Sequence, residues 1–489
     1  MLLNTIRIQC MTPWRERLTL KRINSILTNL LYKNKTNKYK TMKKALYLAI
    51  LLLFIAISGV SGQNKKAKSS SKPNIIFILA DDLGIGDVSC YGSDNNKTPI
   101  IDKLAAEGMR FQHAYTAPLC GPSRSRILTG RYAFRTGAVN QDRVGEIKPE
   151  NEVMIPAVLK SAGYTSALVG KWSQFGLTPK DFGFDDYITF QGSGVYWSKE
   201  KAKASTYTEN GIEKPLNTGV YMPDLMHNHL VDFLTVNKNK PFFLYYSMVH
   251  VHSLIQPTPD SKPGSDLYAD NTTYMDKLVG KLLATLDDLK LRENTLIVFM
   301  GDNGTANQYA ARGTIGGKAL SGKKGTMLEC GSLVPTIASW PGVIKAGQVN
   351  TDLIDSSDLL PTFAEVCGAP LPTKNILDGR SFLPQLKGRK GNPKEYIFME
   401  LGNKWYVRSA KWKLNRAGEL FDMTNAPFEE KLVADYANNP EASAAYARLQ
   451  AVLKELAPEK GILDDGDGSG RHASNVNKKK GAKEDKDSE

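Results

Sequence analysis

Short, strongly apolar runs alternate with longer amphipathic stretches along the middle of the chain. The run NIIFILA at 74–80 is rich in β-branched residues, and similar runs occupy 165–169, 242–248 and 295–300. Runs of this kind are typical of strands that are buried on both faces of a sheet. Residues 274–289 instead place apolar side chains at intervals of three and four, which predicts a helix with one apolar face. Alternating strands and helices predict an α/β fold with a large mixed, mostly parallel sheet sandwiched by helices.

The pattern changes near residue 390. Several short strand-like runs follow between 395 and 421, and a helix is predicted at 441–456. The segment after it is rich in Gly, Asp and Lys, which is typical of disorder. The predicted segments are an α/β domain at 73–390, a smaller C-terminal α+β subdomain at 391–460 and a disordered tail at 461–489.

The N-terminal segment has the pattern of an export signal. A basic start at 42–44 is followed by a continuously apolar run at 45–57 and by small residues at 58–62. This order is typical of a secretory signal peptide, and the apolar run is short for a membrane span of about 20 residues. We expect an exported protein, periplasmic or secreted, with no stable membrane anchor. The expected segments are a mis-start or disordered leader at 1–41, a signal peptide at 42–62 and a linker at 63–72.

The positive charge of the chain is concentrated in this N-terminal part. The sequence has a formal net charge of +14, and residues 1–68 contribute 14 Lys and Arg against one acid, Glu16. These residues therefore account for 13 of the 14 net charges, and the rest of the chain is nearly neutral. A neutral body argues against nucleic acid as a partner, because phosphate-binding surfaces are strongly basic.

Polar residues follow the ends of the predicted central strands. Asp81 and Asp82 come directly after the first apolar run, and Asp302 and Asn303 follow the last one. The carboxyl ends of parallel strands meet at one edge of a sheet, where α/β proteins place their sites. Carboxylate and amide oxygens are the ligands that Ca²⁺ and Mg²⁺ prefer, and the cysteine spacing fits no zinc pattern. The sequence therefore predicts a site for one of these two cations.

A cysteine motif between these segments resembles the signature of a known family. Cys120 begins the sequence Cys-Gly-Pro-Ser-Arg, which ends at Arg124 and is followed by Leu-Thr-Gly-Arg at 128–131. This pattern resembles the signature of the type I sulfatases, the formylglycine-dependent members of the alkaline phosphatase superfamily. The resemblance extends over about residues 73–435, because other segments occur in that family's order. These segments are Asp-Asp at 81–82, Gly-Lys-Trp at 170–172, His252, Asp-Asn-Gly at 302–304, Lys-Gly-Thr at 324–326 and Leu-Phe-Asp at 420–422.

The resemblance implies a hydrolase of sulfuric esters. In that family a maturation enzyme oxidises the motif cysteine, here Cys120, to formylglycine, whose hydrated aldehyde attacks the sulfur of a sulfate ester. One hydroxyl group attacks and the second expels the bound sulfate, so water need not attack sulfur. The family's cation is calcium, and its ligands correspond here to Asp81, Asp82, Asp302, Asn303 and residue 120.

The resemblance also gives roles to the basic residues. Arg124 would hold the nucleophile and the cation ligands, because its planar guanidinium group suits several acceptors. Lys171, Lys324 and His252 would surround the sulfate oxygens and the leaving group, with His252 or Lys324 as the general acid. By analogy with exported members of the family, the expected substrate is a sulfated carbohydrate.

One position departs from the family's pattern. The family has a histidine two residues after the Gly-Lys pair, where this chain has Ser173. The resemblance implies that a histidine at this position contacts the nucleophile and assists the release of sulfate. His250 and His252 follow a predicted strand and are two residues apart, so in an extended chain they would share a face. Either His250 supplies the missing imidazole, or it only lines the pocket.

Two other functions fit parts of the pattern. A phosphatase or phosphodiesterase of the same superfamily would usually have Ser or Thr as its nucleophile and histidine ligands for a transition metal. Cys120 and the oxygen ligands argue against that function. A catalytically impaired, calcium-dependent protein that binds sulfated glycans is favoured only by Ser173. The intact Cys120, Arg124, Lys324 and His252 argue against it.

Overall fold

The computed structural model describes most of the chain after the N-terminal segment. The described residues are 72–192, 194–198, 205–466, 468 and 470. The predicted leader and signal peptide, nearly all of the linker and most of the predicted tail lie outside the described residues. Among the residues that are described, no helix combines the length and the hydropathy that crossing a bilayer requires.

A mixed sheet of ten strands forms the centre of the fold. The strands of this part of the chain are β1 (Asn74–Ala80), β2 (Met109–Tyr115), β3 (Thr165–Gly170), β4 (Asp186–Phe190), β5 (Thr206–Glu209), β6 (Ile212–Pro215), β7 (Phe242–Ser247), β8 (Thr295–Gly301), β9 (Thr314–Ile315), β10 (Lys318–Ala319), β11 (Thr336–Ser339) and β12 (Gln348–Asp355). The ten strands of the sheet lie side by side in the order β12-β2-β11-β8-β1-β7-β3-β4-β5-β6, and β9 and β10 form a separate two-stranded sheet.

The four central strands β8, β1, β7 and β3 are adjacent and parallel. They correspond to the four apolar runs of the sequence, so the predicted strands are confirmed. Antiparallel pairs occur at both sides of this group, where β11 joins β8 to β2 and where β4, β5 and β6 form a meander. The prediction of a mixed, mostly parallel sheet is therefore also confirmed.

Helices cover both faces of the sheet. Successive residues of β1 point to opposite faces, so that Ile75 and Phe77 contribute to one apolar layer and Ile76 and Ile78 to the other. The helices are α1 (Pro99–Ala106), α2 (Cys120–Thr129), α3 (Ala133–Thr136), α4 (Ile155–Lys160), α5 (Met222–Asn237), α6 (Leu267–Asp288), α7 (Glu329–Ser332), α8 (Leu359–Cys367), α9 (Leu383–Leu386) and α10 (Pro440–Leu456). The first layer includes side chains of α2, α4 and α8, and the second includes side chains of α1, α5 and α6.

A smaller antiparallel sheet follows near the C-terminus, as predicted. Its strands pair in chain order and are β13 (Ile397–Leu401), β14 (Lys404–Arg408), β15 (Trp412–Asn415), β16 (Leu420–Asp422) and β17 (Lys431–Leu432). Helix α10 packs on this sheet through Leu449, which belongs to the same apolar cluster as Trp405 and Leu414. Asp464, at the described start of the predicted tail, accepts a hydrogen bond of 2.7 Å from Asn140, so this part of the segment packs against the body.

Candidate active site

The loops that follow the four central strands converge on one cavity of about 300 Å³. Asp82 follows β1, His252 follows β7, and Asn303 follows β8 within the same buried cluster. The parallel order of the strands explains this convergence, because their carboxyl ends lie along the same edge. The cavity is lined by Asp82, Leu119, Cys120, Gln141, Gln174, His252, Ser253, Ala306, Asn307, Gln308 and Lys324.

Tight backbone turns bring the acidic residues together. Asp82 has φ of 61°, in the left-handed region that Asp and Asn tolerate better than most residues. In this conformation its amide donates a hydrogen bond of 2.9 Å to Asp302 Oδ1. Gly304 follows the second acidic pair, and a Cβ atom there would lie 1.9 Å from the carbonyl oxygen of Cys330. The glycine of Asp-Asn-Gly is therefore required by a close backbone approach rather than by a simple turn.

Three buried oxygens in this cluster have no hydrogen-bond partner among the described residues, and they are Asp81 Oδ1, Asp82 Oδ2 and Asn303 Oδ1. The side-chain Nδ2 of Asn303 donates a hydrogen bond of 2.9 Å to Asp82 Oδ1. The side-chain oxygen Oδ1 of Asn303 is therefore left as an acceptor. Buried polar atoms without partners are costly, and a hard cation would satisfy all three. The donor set of carboxylate and amide oxygens therefore fits calcium or magnesium.

Cys120 is the first residue of helix α2 and is only 2% exposed. Its sulfur and carboxylate oxygens of Asp81 and Asp302 all lie within 4.8 Å of one another. The unpaired amide groups at a helix N-terminus favour negative charge, so this position suits an anionic nucleophile. The structure thus brings the motif cysteine to the acidic cluster, as the sequence predicted. Cys330 and Cys367 are buried elsewhere, and no disulfide forms among the cysteines that are described.

Arg124 lies one turn after Cys120 and connects the acidic residues to the neighbouring strand ends. Its Nη2 is 2.9 Å from Asp302 Oδ2 and 3.7 Å from Asp81 Oδ2. Its Nη1 donates to the backbone carbonyl of Lys171 at 3.2 Å and to the hydroxyl group of Ser247. Burial opposes the charged form, but Tyr245 and the two carboxylates raise the pKa of Arg124 above its usual value. Arg124 therefore remains a fixed cation in the cluster.

Two lysines balance the remaining acidic charge. Lys171 Nζ lies 2.5 Å from Asp81 Oδ2, and Lys324 Nζ lies 2.5 Å from Asp82 Oδ1. Burial would raise the pKa of Asp81, but Lys171 and the other neighbouring cations hold it below its usual range. Burial and the Asp81 charge raise the pKa of Asp302. Burial lowers the pKa of Lys324, but the negative charges of Asp82, Asp81 and Asp302 outweigh that effect and raise it.

His252 lies at the rim of the cavity with its two ring nitrogens in different surroundings. Nδ1 contacts the backbone carbonyl of Ser253, which can only accept, so Nδ1 carries the proton of the neutral ring. Nε2 lies 3.8 Å from Asp82 Oδ2. Burial lowers the pKa of His252, and this effect outweighs the opposite effect of the Asp81 carboxylate. The neutral ring is therefore favoured, and its unprotonated Nε2 can accept a proton.

The structure places His250 outside the lining of the cavity, which argues against both alternatives, that it supplies the missing imidazole and that it lines the pocket. Strand β7 ends at Ser247 and the chain turns, so His250 and His252 do not share a face. His250 is fully buried, its Nε2 lies 3.0 Å from the Tyr221 hydroxyl, and it is not among the residues that line the cavity. Burial lowers its pKa to about 3.

Ser173 also does not reach the nucleophile. It has φ of 68°, and its hydroxyl donates to the side-chain oxygen of Gln174. Gln174 rather than Ser173 lines the cavity. Four carboxamides thus form much of the lining, and sequence reasoning missed all of them because no motif marks them. These residues are Gln141, Gln174, Asn307 and Gln308.

Comparison with known proteins identifies the family. The family model named Sulfatase matches residues 73–369. The chain belongs to the sulfatase family. This sulfatase is 35% identical over 374 residues to the N-acetylgalactosamine-6-sulfatase of Canis lupus familiaris, a match that covers 69% of this chain and 70% of that relative. It is 30% identical over 445 residues to the steryl-sulfatase of Rattus norvegicus, covering 73% and 77%.

A solved structure shares the fold of this sulfatase. The crystal structure of Ps i-CgsB in complex with k-i-k-neocarrahexaose aligns with a TM-score of 0.70 and 29% sequence identity. The alignment covers 80% of this chain and 94% of that structure. Together with the curated relatives, this similarity confirms the predicted membership of the type I sulfatases and the activity of a sulfuric ester hydrolase.

Proposed function

We propose that this sulfatase hydrolyses sulfate esters of carbohydrates, with a formylglycine at position 120 and a bound calcium ion. The observation that carries the proposal is the position of Cys120, at a helix N-terminus, beside Asp81 and Asp302 and in the lining of the cavity. A cysteine that served only as a small apolar core residue would gain nothing from three carboxylates and three cations around it. Residue 120 is therefore the reacting residue.

The cation would be held by the oxygens of Asp81, Asp82, Asp302 and Asn303, with the side chain of residue 120. Without the ion, the three carboxylates are balanced by Arg124, Lys171 and Lys324. A divalent ion would therefore make the site positive overall, which suits an anionic sulfate ester. Bound there, calcium supplies Lewis-acid stabilisation of a sulfate oxygen, and formylglycine supplies the nucleophilic hydroxyl. Magnesium is the alternative ion for the same oxygens.

The chain's own residues bind the sulfate and move protons around it. Lys324 extends into the cavity from the loop after β10. Its raised pKa keeps it positively charged, so it would bind the sulfate oxygens. Lys171 is fully buried in contact with Asp81, and its positive charge balances that carboxylate. His252 has the only imidazole in the described lining, and its Nε2 carries no proton in the neutral ring. We assign it the proton transfer to the leaving oxygen in two parts, in which Nε2 first takes up a proton and the imidazolium then passes that proton to the leaving oxygen.

A carbohydrate substrate is supported by the chemistry of the cavity lining. Gln174, Asn307 and Gln308 present carboxamides, which both donate and accept hydrogen bonds as sugar hydroxyls do. A steroid or an unsubstituted aryl group would leave these polar groups without partners, which disfavours such substrates. The related structure that contains a neocarrahexaose is consistent with this preference.

We also propose that the protein is exported to the periplasm or secreted, because residues 42–62 have the order of a signal peptide. Formation of formylglycine requires a maturation enzyme as a transient partner. Both proposals concern the precursor chain rather than the folded site.

The experiment that tests this function combines peptide mass analysis with a substrate panel. The chain is produced together with a maturation enzyme, and the peptide that contains residue 120 is expected to show the aldehyde or its hydrate in place of the thiol. The panel contains sulfated mono- and oligosaccharides, a steroid sulfate and an aryl phosphate, and we expect turnover of a sulfated saccharide. The control is Cys120→Ser, whose single hydroxyl cannot both accept and expel sulfate, so multiple turnover is expected to be lost.

Three results would contradict the proposal. An unmodified thiol with calcium-dependent glycan binding and no turnover would indicate the impaired binding protein. Faster hydrolysis of the phosphate would indicate a phosphatase. Turnover of only the steroid sulfate would exclude the carbohydrate substrate while keeping the sulfatase activity.

A further inference from the structure

The replacement of the family's histidine by Ser173 removes one of the imidazoles that the family's pattern would bring to residue 120. His252 lies beside Asp82, and His250 faces Tyr221. Ser173 turns its hydroxyl to Gln174. A polar contact to residue 120 must therefore come from another side chain, or be missing.

Gln141 makes this contact. Its Nε2 lies 3.2 Å from Cys120 Sγ, and its side chain is only 7% exposed. Its Oε1 accepts a hydrogen bond of 3.0 Å from the Gly121 amide, which can only donate. The amide oxygen is therefore fixed on Gly121, and the NH₂ group must face residue 120. The sulfur stands here for the oxygen-bearing side chain that the proposed function places at this position.

The glycine of the cysteine motif provides the space for this arrangement. A Cβ atom at Gly121 would lie 2.2 Å from Gln141 Oε1 and 3.0 Å from Gln174 Oε1. Any other residue at 121 would displace the Gln141 side chain from residue 120. The backbone of Gln141 is also fixed, because its amide donates to the Gly470 carbonyl at 3.2 Å. Gln141 is thus held at both its backbone and its side chain.

We infer that Gln141 is a positioning residue that orients the side chain at position 120 by a hydrogen bond, in a chain that has Ser173 where the family's pattern has a histidine. This inference rests on the proposed function. A carboxamide donates hydrogen bonds but does not take up a proton near neutral pH, so Gln141 orients residue 120 and is not a base. It acts through residue 120 and not through direct contact with the reacting sulfur atom of the substrate.

The first test separates kcat from KM. Gln141→Met keeps the volume and removes the donor, and Gln141→His restores a donor. We expect Gln141→Met to lower kcat about 10- to 100-fold with KM changed less than about threefold, as for the loss of one buried hydrogen bond in the transition state. Gln141→His is expected to recover most of that loss. The control is Gln112→Met, the same change at an exposed position of β2, which should leave kcat and KM unchanged.

The second test measures the contact without any activity. In protein that is made without the maturation enzyme, Cys120 is alkylated by iodoacetamide and the modified peptide is quantified at one fixed pH. Hydrogen bonds from Gln141 stabilise the thiolate, so Gln141→Met is expected to slow this alkylation severalfold and Gln112→Met is not. The melting temperatures of the variants show whether either change acts through unfolding.

The inference is overturned if Gln141→Met matches the unsubstituted protein in kcat and in alkylation rate. It is also overturned if only KM or the melting temperature changes, because a purely structural or substrate-binding role would give that result. If the unsubstituted protein hydrolyses no sulfate ester, the proposed function fails, whereas the alkylation rates still decide whether Gln141 contacts residue 120.

Discussion

At the scale of single residues, the candidate site is distinguished by which polar atoms have partners. The charged groups of Arg124, Lys171 and Lys324 each form an ion pair with a carboxylate. The unpartnered atoms of the cluster, among the described residues, are one donor, Arg124 Nε, and a set of three acceptors that includes the side-chain oxygen of Asn303. Such a set is stable only if a cation completes it, because buried acceptors without donors cost about 1–3 kcal/mol each.

Calcium should therefore stabilise the folded protein through Asn303. For a site that binds only the folded state, a hundredfold excess of calcium over its dissociation constant raises the free energy of unfolding by about 2.7 kcal/mol. Asn303→Leu keeps the shape but removes the oxygen ligand, and we expect it to lose most of the calcium-induced rise in melting temperature. Thermal unfolding with calcium and with EDTA checks this expectation.

The matched control is Asn438→Leu, an exposed position outside the site, where the calcium effect should equal that of the unsubstituted protein. An equal calcium effect in Asn303→Leu would show that the ion binds elsewhere. A protein whose stability does not respond to calcium or magnesium would contradict the metal site itself.

At the scale of secondary structure, the central strands could be predicted because each is apolar on both faces. The same reasoning placed Asp81 and Asp302 at one edge of the sheet. Strand β2 was not predicted, because Arg110, Gln112 and His113 interrupt its apolar pattern. Helix α2 was also missed, since all of its residues are buried and its polar side chains are used internally, so it has no amphipathic pattern.

The position of Gln141 and the orientation of Ser173 could not be predicted for a different reason. Both depend on the conformations of loops, and Gln141 belongs to no recognisable motif. Ser173 occupies the position of the family's histidine in the sequence, but its positive φ turns the chain so that Gln174 faces the cavity. Alignment of a motif therefore gives the position of a residue and not the direction of its side chain.

Helix α2 is fixed in place by an ion cluster at its second arginine. Arg126 is 2% exposed and lies 3.1 Å from Asp355, at the end of β12. Lys394 lies 2.7 Å from the same carboxylate. Burial would raise the pKa of Asp355, but the two cations hold it far below its usual range. The helix that begins with Cys120 is thus tied to the end of β12.

Removing the negative charge of Asp355 should destabilise the protein strongly. Asp355→Asn leaves Arg126 without its ion-pair partner and Lys394 with Asp358 as its remaining carboxylate, and breaking one partner of a buried ion cluster typically costs about 3–5 kcal/mol. Urea unfolding of the calcium-free protein measures this loss. Asp352→Asn, the same change at a half-buried position of β12, should change stability by less than about 0.5 kcal/mol. A loss below about 1 kcal/mol in Asp355→Asn would show that the cluster does not anchor the helix.

At the scale of the whole molecule, the second sheet supports the loop that carries Lys324. Glu329, at the end of that loop, is buried and lies 2.9 Å from Arg408 of β14, and the Tyr115 hydroxyl donates to it at 2.7 Å. Lys413 of β15 donates to the carbonyl of Met327 at 2.8 Å. The C-terminal region is therefore part of the architecture of the site, although its strands carry none of the residues of the cysteine motif.

The stability of the whole fold should depend on the protonation of His250, which is buried among aromatic side chains beside Tyr221. Burial lowers its pKa to about 3, whereas a histidine in the unfolded chain has a pKa of about 6.5. The unfolded state therefore binds a proton first as the pH falls. The stability contributed by the neutral ring is fully present above about pH 6.5 and is lost progressively toward about pH 3.

From this shift we expect the free energy of unfolding of the calcium-free protein to fall by about 2 kcal/mol between about pH 7 and pH 5 because of His250 alone. His250→Gln keeps a donor and an acceptor for Tyr221 but does not titrate in this range. Urea unfolding at the two pH values should show a decrease that is smaller by about that amount in the variant. Equal decreases in both proteins would mean that His250 takes up its proton in the folded state, and the aromatic cluster around it would then have to admit water or open before the protein unfolds.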